Sequence, residues 1–163
     1  MNKPSFCIAN WKMNKTFEES IDYMRIIETM DLSKSNSKVI ICPSYLVLNN
    51  LIKRGKQISD ISFGAQNVSS EIEGSFTGEV SINMLKSISC KWVIIGHSER
   101  RLIMKETDSE ISKKMKLAYN ADLNPILCIG ETFEENQNNE TNKVLERQIL
   151  TAFESLNFKK NSQ

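Results

Sequence analysis

The sequence predicts an α/β fold with parallel strands, and two observations carry that prediction. Short apolar runs rich in valine and isoleucine alternate with longer stretches whose apolar residues recur every three or four positions. The short runs are typical of buried strands, and the longer periodicity is typical of amphipathic helices. Alternation of the two implies parallel strands joined by right-handed helical crossovers. We therefore expect strand–helix units in series within one domain that spans residues 1–163.

The first two predicted units fill the amino-terminal part of the chain. A strand at residues 6–9 precedes a helix that begins at a capping box formed by Thr16 and Glu19. A second strand follows at residues 39–42, and Ser44 can cap the helix after it. Both helices carry apolar residues at helical spacing on one face, which predicts that they pack on the sheet.

The middle of the chain contains two further strands around a long polar loop. Residues 61–65 form a weaker third strand, and residues 66–79 form a loop that contains two glycines. A short helix is predicted within residues 80–88, and residues 92–95 form the fourth strand. A loop of about 14 residues is longer than most connections, and loops of that length are often functional.

The fifth predicted unit occupies the last part of the sequence. Thr107 and Glu110 repeat the capping-box spacing before a helix. The fifth strand covers residues 125–129, and a polar insert rich in asparagine and glutamate runs to about residue 142. Residues 145–156 then predict one strongly amphipathic helix.

Periodicity alone leaves two architectures open. Five units in 163 residues take roughly 32 residues each, and eight such units approach the length of about 250 residues typical of a (β/α)8 barrel. The chain is therefore either a complete five-stranded open sheet or a barrel without three of its units. A dinucleotide-binding sheet would need a Gly-x-Gly-x-x-Gly turn after the first strand, and residues 10–14 contain no glycine. A flavodoxin-like open sheet remains compatible with the periodicity.

Composition and charge indicate which classes of binding partner and which cellular compartment to expect. The net charge of +1 favours neither nucleic acid nor an acidic membrane as a partner, and no apolar run approaches the length of a membrane span. The four cysteines, Cys7, Cys42, Cys90 and Cys128, show no metal-type pairing and lie in or beside apolar strand runs. We expect four buried free thiols in a protein of the reducing cytoplasm.

The only histidine of the chain follows the fourth strand directly. Gly96 ends that strand, His97 comes next, and a helix begins at Ser98. Ligands of parallel α/β sheets bind at the carboxyl ends of the strands, which is where His97 is predicted to lie. The positive end of the following helix dipole disfavours imidazolium, so we expect a neutral hydrogen-bond donor. A histidine that only caps the helix explains the position about as well.

Five motifs at predicted strand ends and loops resemble those of one enzyme family in the same order. They are Ala-Asn-Trp-Lys-Met-Asn at 9–14, Gly-Ala-Gln-Asn at 64–67, Gly-Ser-Phe-Thr-Gly-Glu at 74–79, Ile-Ile-Gly-His-Ser-Glu-Arg-Arg at 94–101 and Cys-Ile-Gly-Glu at 128–131. The chain resembles triosephosphate isomerase from residue 3 to about residue 157. The resemblance implies a TIM (β/α)8 barrel, of which this chain carries the first five units. It also implies interconversion of dihydroxyacetone phosphate and glyceraldehyde 3-phosphate without cofactor or metal.

The resemblance assigns roles to five residues. Asn10 and Lys12 match pocket residues, and Lys12 offers a cation to the phosphate and to the developing enediolate. His97 matches the electrophile, and a histidine kept neutral by a helix amino terminus is a documented feature of this family. Ser98 is expected to orient the imidazole and to cap the helix, and Glu99 matches a pocket carboxylate that pairs with Lys12. The plainer readings are a solvated lysine, a capping serine and a first-turn glutamate.

The loop at residues 66–79 resembles the dimer loop of the family. The threonine that matches Thr77, between Phe76 and Gly78, reaches towards the active site of the neighbouring subunit. The resemblance therefore implies a homodimer, whereas an ordinary exposed loop is the alternative. Lys105 departs from the family pattern, in which glycine is common, so we expect a backbone without positive φ at this position.

The catalytic base of the family is not matched. In triosephosphate isomerases it is a glutamate within a Tyr-Glu-Pro-hydrophobic-Trp segment at the sixth strand, and no such segment occurs here. Glu131, Glu134 and Glu135 match no part of that segment. We expect this chain to be an amino-terminal portion of such an isomerase that carries the electrophilic half of the site. The alternatives are an inactive remnant that dimerises through residues 66–79 and a five-stranded α/β binding domain of another family.

Overall fold

A computed structural model describes residues 5–32, 37–58 and 60–156, and within them parallel strands alternate with helices as the sequence predicts. The strands are β1 (Ser5–Asn10), β2 (Ser37–Cys42), β3 (Ile61–Ala65), β4 (Trp92–Ile95) and β5 (Asn124–Leu127). The helices are α1 (Phe17–Glu28), α2 (Tyr45–Gly55), α3 (Ile82–Ser87), α4 (Ser98–Leu102), α5 (Asp108–Asn120), α6 (Phe133–Gln137) and α7 (Thr141–Glu154).

The strand order separates the architectures that periodicity left open. The sheet has the order β1-β2-β3-β4-β5, and every neighbouring pair is parallel. A flavodoxin-like sheet would have the first two strands exchanged, so that alternative is wrong. Strands added one after another in a single direction form a curved sheet that is part of a (β/α)8 barrel. The barrel prediction is confirmed for the described part of the chain.

Capping boxes begin the helices where the sequence predicts them. At the start of α1, the Glu19 amide donates to Thr16 Oγ1 over 3.3 Å, and the Thr16 amide donates to Glu19 Oε2 over 2.7 Å. Thr107 and Glu110 form the same box before α5. Ser44 occupies the N-cap of α2, but its side chain makes no capping hydrogen bond.

The two faces of the sheet differ in how completely they are covered. The helix-facing side packs a continuous core that includes Met24, Leu48, Leu51 and Ile95. The concave side holds a smaller cluster, in which the buried residues are Ile40, Cys42 and Ile94. On that side Phe6 of β1 meets Trp92 of β4 edge to face, with ring centroids 5.4 Å apart. The curvature therefore brings two strands that are not neighbours into contact.

The carboxyl-terminal unit differs from its sequence-based description in two respects. The polar insert contains α6, which begins at a third capping box formed by Thr132 and Glu135. The amphipathic helix is present as α7, but Ile149 and Phe153 remain 39% and 38% exposed. Helix α7 packs against α5, and β5 is the last strand of the described sheet, so one apolar side of α7 has less to pack against.

Two expectations are wrong. Cys7 is exposed because β1 is an edge strand of the described sheet, whereas Cys42 and Cys90 are buried and Cys128 is half-buried. Lys105 adopts a left-handed backbone with φ 59°, where the sequence predicted that a non-glycine residue would avoid positive φ. A left-handed non-glycine costs about 1–2 kcal/mol, which contacts elsewhere have to offset. No helix within the described ranges is long and apolar enough to span a membrane.

Candidate functional site

The candidate site lies at the carboxyl edge of the sheet, where the turns after β1, β3 and β4 meet. Lys12 has a left-handed backbone with φ 53°. The Asn10 side chain holds the Lys12 peptide from one side, because its Oδ1 accepts from the Lys12 amide over 3.0 Å. Gln66 holds it from the other side, with Nε2 donating over 2.9 Å both to the Lys12 carbonyl and to the Cys42 carbonyl. The strained lysine is therefore fixed to β2 and β3.

The sequence-predicted pair of Lys12 and Glu99 is present. The Lys12 Nζ lies 2.9 Å from Glu99 Oε1, and the two side chains are 50% and 48% exposed. The Lys12 ammonium, which is hydrogen-bonded to Glu99, holds the pKa of that carboxyl below its ordinary value. An exposed pair of this kind contributes little to stability, so its position at the strand ends favours a role in binding.

His97 caps α4 with its own ring. The Glu99 amide donates to His97 Nδ1 over 3.3 Å, so Nδ1 serves as the acceptor of this contact and Nε2 is left for other partners. Glu99 Oε2 also lies 3.4 Å from Nδ1, so both the amide and the carboxylate of Glu99 face this ring nitrogen. The neutral donor expected from the sequence stays a prediction, and Nε2 is the ring nitrogen through which it would donate. The expectation that Ser98 caps the helix is wrong, since Ser98 is the first residue within α4 and His97 is the cap.

Arg101 ties the turn that holds His97 to the loop after β5. Its Nε donates to the Gly96 carbonyl over 2.8 Å, its NH2 to the Cys128 carbonyl over 3.2 Å, and its NH1 meets Asp108 Oδ1 at 2.6 Å. Gly96 has φ 73°, and a Cβ there would lie 3.0 Å from the Arg101 guanidinium, so glycine is required. Arg101 is the last residue of the motif at 94–101, but the sequence alone predicts no role for it. Its guanidinium reaches three separate segments, which no local pattern indicates.

The loop at residues 66–79 projects its middle part into solvent. Phe76 is 48% exposed, and Thr77 and Gly78 are exposed beside it. Gly78 has φ 89° with no atom within 4 Å of the position of a Cβ, so the backbone conformation alone favours glycine. The structure therefore presents the predicted dimer residues together on one exposed turn.

A buried ionic cluster anchors the base of this loop, and sequence reasoning missed it. Glu106 Oε1 lies 2.5 Å from both Lys114 Nζ and Arg100 Nε. Lys114 Nζ also donates to Asn67 Oδ1 over 2.9 Å, and the Tyr45 hydroxyl donates to the Asn67 carbonyl. The signal in the sequence was Lys114, a lysine on the apolar side of α5.

Cys128 lies on the concave side of the sheet, against the cluster of Ile40, Cys42 and Ile94. Burial raises the pKa of the Cys128 thiol, and it raises that of Cys42 to about 12. Both thiols therefore stay protonated at neutral pH and act as small apolar groups. The expected burial is therefore complete for Cys42 and partial for Cys128.

A cavity of about 490 Å³ opens beside His97, between the turn after β4 and the loop after β5. Gly130, Thr132 and Gln148 line its far side. Gln148 is held in place, since its amide donates to the Gly130 carbonyl over 3.0 Å and accepts from the Gly130 amide over 2.9 Å. The cavity therefore adjoins His97 and Ser98, whereas Lys12 and Glu99 are not among the residues that line it.

Comparison with known proteins agrees with this geometry. The family profile described as triosephosphate isomerase matches residues 5–163. Triosephosphate isomerase of Endomicrobium trichonymphae is 42% identical over 159 residues, which cover 96% of this chain and 62% of that protein. The enzyme of Alkaliphilus oremlandii is 41% identical over 156 residues, with 96% and 62% covered.

Triosephosphate isomerase of Clostridium botulinum is 40% identical over 148 residues, which cover 91% of this chain and 59% of the relative. The chain thus spans about three fifths of the length of the curated relatives that it matches. A match over nearly the whole chain and a parallel sheet in barrel order lead to the same conclusion. The chain belongs to the triosephosphate isomerase family.

Proposed function

We propose that this chain supplies the electrophilic half of a triosephosphate isomerase site, which interconverts dihydroxyacetone phosphate and glyceraldehyde 3-phosphate. The observation that carries the proposal is the convergence of the His97 imidazole and the Lys12 ammonium on Glu99 at one edge of the sheet. Both groups stabilise negative charge that develops on an oxygen, which is usually the largest contribution to catalysis of this kind.

The proposed reaction moves two protons and needs no cofactor. A carboxylate base removes a proton from the carbon next to the substrate carbonyl, and the carbonyl oxygen becomes an enediolate oxygen. His97 donates its Nε2 proton to that oxygen and recovers a proton from the neighbouring hydroxyl, while Lys12 offsets the negative charge. The base then returns its proton to the other carbon. No segment of this sequence matches the family segment that carries the base glutamate.

Asn10 and Ser98 complete the proposed substrate contacts. The Asn10 Oδ1 is engaged with the Lys12 amide, which leaves its Nδ2 as the group available to a substrate oxygen. Ser98 lines the cavity beside His97, so its hydroxyl is suited to substrate binding. Glu99 is proposed as the third member of the catalytic set with His97 and Lys12. It is not the base, and it keeps Lys12 oriented between turnovers, because it meets the ammonium at 2.9 Å.

We further propose a homodimer formed through residues 66–79. The exposed Phe76, Thr77 and Gly78 turn is suited to insertion into a second subunit, and Met13 beside the site is 97% exposed. Exposed large apolar side chains next to a functional turn favour a protein partner. A cytoplasmic location is proposed because free cysteines are typical of that reducing compartment.

A chimera tests the function. Residues 1–156 would be fused to the carboxyl-terminal portion of the Endomicrobium trichonymphae relative that lies beyond the matched region. We expect isomerase activity in the chimera and a loss of about 100-fold or more on His97→Gln, the scale of general acid–base catalysis. Lys53→Met on the exposed side of α2 is the control and should leave the activity unchanged. A folded chimera without activity, or with activity that His97→Gln does not lower, would refute the proposal.

A non-catalytic function is the second candidate, and the exposed Phe76 of the loop at residues 66–79 favours it. A remnant of this kind would dimerise through residues 66–79 and would lack turnover in every context. Activity in the chimera would exclude it. A dimer of the 163-residue chain that Thr77→Arg dissociates, together with an inactive chimera, would favour it instead.

A further inference from the structure

The turn between β1 and α1 contains a second strained residue that the proposed function does not use. Lys15 has φ 71°, and Lys12 three residues earlier has φ 53°. Left-handed non-glycine residues persist only where their surroundings enforce them. Asn10 and Gln66 enforce the conformation of Lys12 through its peptide groups. The contacts of Lys15 are of a different kind.

The Lys15 ammonium lies over two aromatic rings. Its Nζ is 5.3 Å from the centroid of the Trp11 ring and 5.1 Å from that of Tyr23. The two rings meet edge to face with centroids 5.0 Å apart. Both distances are within the range of cation–π attraction, and tryptophan is the best partner for it. The two rings thus form a cation–π binding position for the Lys15 ammonium on the helix side of the turn.

The cation–π contact of Lys15 lies next to the candidate site, because Trp11 immediately precedes Lys12 in the chain. Its ring is 7% exposed, its amide donates to the Cys42 carbonyl over 3.0 Å, and its carbonyl accepts from Asn14 Nδ2 over 2.8 Å. Trp11 is therefore fixed to the sheet, and Lys15 attaches the far end of the turn to it. Asn10 and Gln66 hold only the backbone of Lys12, and the exposed pair with Glu99 is too weak to hold its side chain by itself.

We infer that Lys15 is a positioning residue for Lys12: its ammonium, seated over Trp11 and Tyr23, holds the turn so that the Lys12 ammonium stays against Glu99. The inference rests on the proposed function, in which Lys12 is the cation offered to the substrate. Glycine would be less strained than lysine at this left-handed position. The cation–π contact with Trp11 and Tyr23 gives a physical reason for a lysine there.

The test measures the carboxyl titration of Glu99 in the full 163-residue chain by NMR with carboxyl-labelled glutamate. Lys12 is the first cause of the low pKa of Glu99, so this titration reports how closely Lys12 stays beside it. Lys15→Met keeps an unbranched side chain that is one atom shorter and removes its charge. We expect the pKa of Glu99 to rise towards its ordinary value in this variant and to return in Lys15→Arg. Lys53→Met, which removes one exposed charge elsewhere, should leave it unchanged.

Lys15→Gly separates positioning from a merely structural role. Glycine relieves the strain of φ 71°, so the unfolding midpoint in urea should stay the same or rise, while the pKa of Glu99 still rises. An unchanged Glu99 titration in folded Lys15→Met and Lys15→Gly would overturn the inference. The titration needs no turnover, so an inactive chimera would refute the proposed function and leave this result intact.

Discussion

Two ionic clusters at the same edge of the sheet differ in burial and in what they do. The Lys12–Glu99 pair is about half exposed, whereas the side chains of Lys114 and Glu106 are 5% and 7% exposed. The buried cluster joins α5 to the base of the loop at residues 66–79 through Asn67. The exposed pair leaves its charges accessible to a ligand. A desolvated pair is strongly destabilised when one partner is lost, and an exposed pair is not.

The largest expected effect is that of Lys114→Met, which leaves Glu106 buried without its second cation. We expect the free energy of unfolding in urea to fall by about 3 kcal/mol, the low end for a broken buried pair, because Arg100 still meets Glu106. Lys116→Met, at an exposed position of the same helix, is the control and should change it by less than about 0.5 kcal/mol. Equal effects of the two substitutions would contradict the contrast between the clusters.

A smaller loss is expected when the capping box beside the buried cluster is removed. Thr107→Ala deletes the hydroxyl that accepts from the Glu110 amide over 3.2 Å and should lower the free energy of unfolding by about 1 kcal/mol. Thr107→Ser keeps an oxygen for that bond and should retain most of the stability. If serine were as destabilising as alanine, the loss would come from the methyl group and not from the cap.

The same capping box gives a weaker pH dependence. Hydrogen bonds from Thr107 hold the pKa of Glu110 below its ordinary 4.5. A lowered pKa in the folded state stabilises the protein above the unfolded-state pKa, and this contribution is lost as the pH falls through the folded-state pKa. The destabilisation caused by Glu110→Gln should therefore be present at pH 6 and disappear as the pH falls below the ordinary value. Urea unfolding of both proteins across that range measures it, and a difference that grows in acid would contradict the assignment.

The smallest effect on stability is expected at the exposed pair. Lys12→Met should leave the urea midpoint unchanged, because both partners return to water at little cost. The pKa of Glu99 should nevertheless rise, since the Lys12 ammonium is the first cause of its low value. A loss of stability comparable to that of Lys114→Met would show that Lys12 supports the fold. The contrast between the two clusters would then fail.

Local sequence signals were sufficient for the elements and for part of the site. The capping boxes at Thr16 and Thr107 gave the starts of α1 and α5, and His97 was correctly placed directly before a helix. The third capping box, at Thr132, has the same sequence pattern, but helix α6 was not predicted because it lies within a polar insert. Short polar helices lack the apolar stripe on which periodicity depends.

Local sequence patterns could not predict the contacts between residues that are far apart in the chain. Arg101, Glu106 and Lys114 join segments that lie far apart in the chain, and only the curvature of the sheet brings them together. The left-handed Lys105 was mispredicted for the same reason, because intrinsic backbone preference excludes a conformation that contacts in the folded chain can enforce.

The sequence by itself determined that strands and helices alternate, that the strands are parallel, and that His97, Lys12 and Glu99 follow strand ends. These features depend on periodicity and on neighbours within a few residues. The tertiary structure decided the strand order, the contact of the Glu99 amide with His97 Nδ1 and the 2.9 Å contact of Lys12 with Glu99. It also decided which lysine is buried, because burial depends on what the rest of the chain places around a residue.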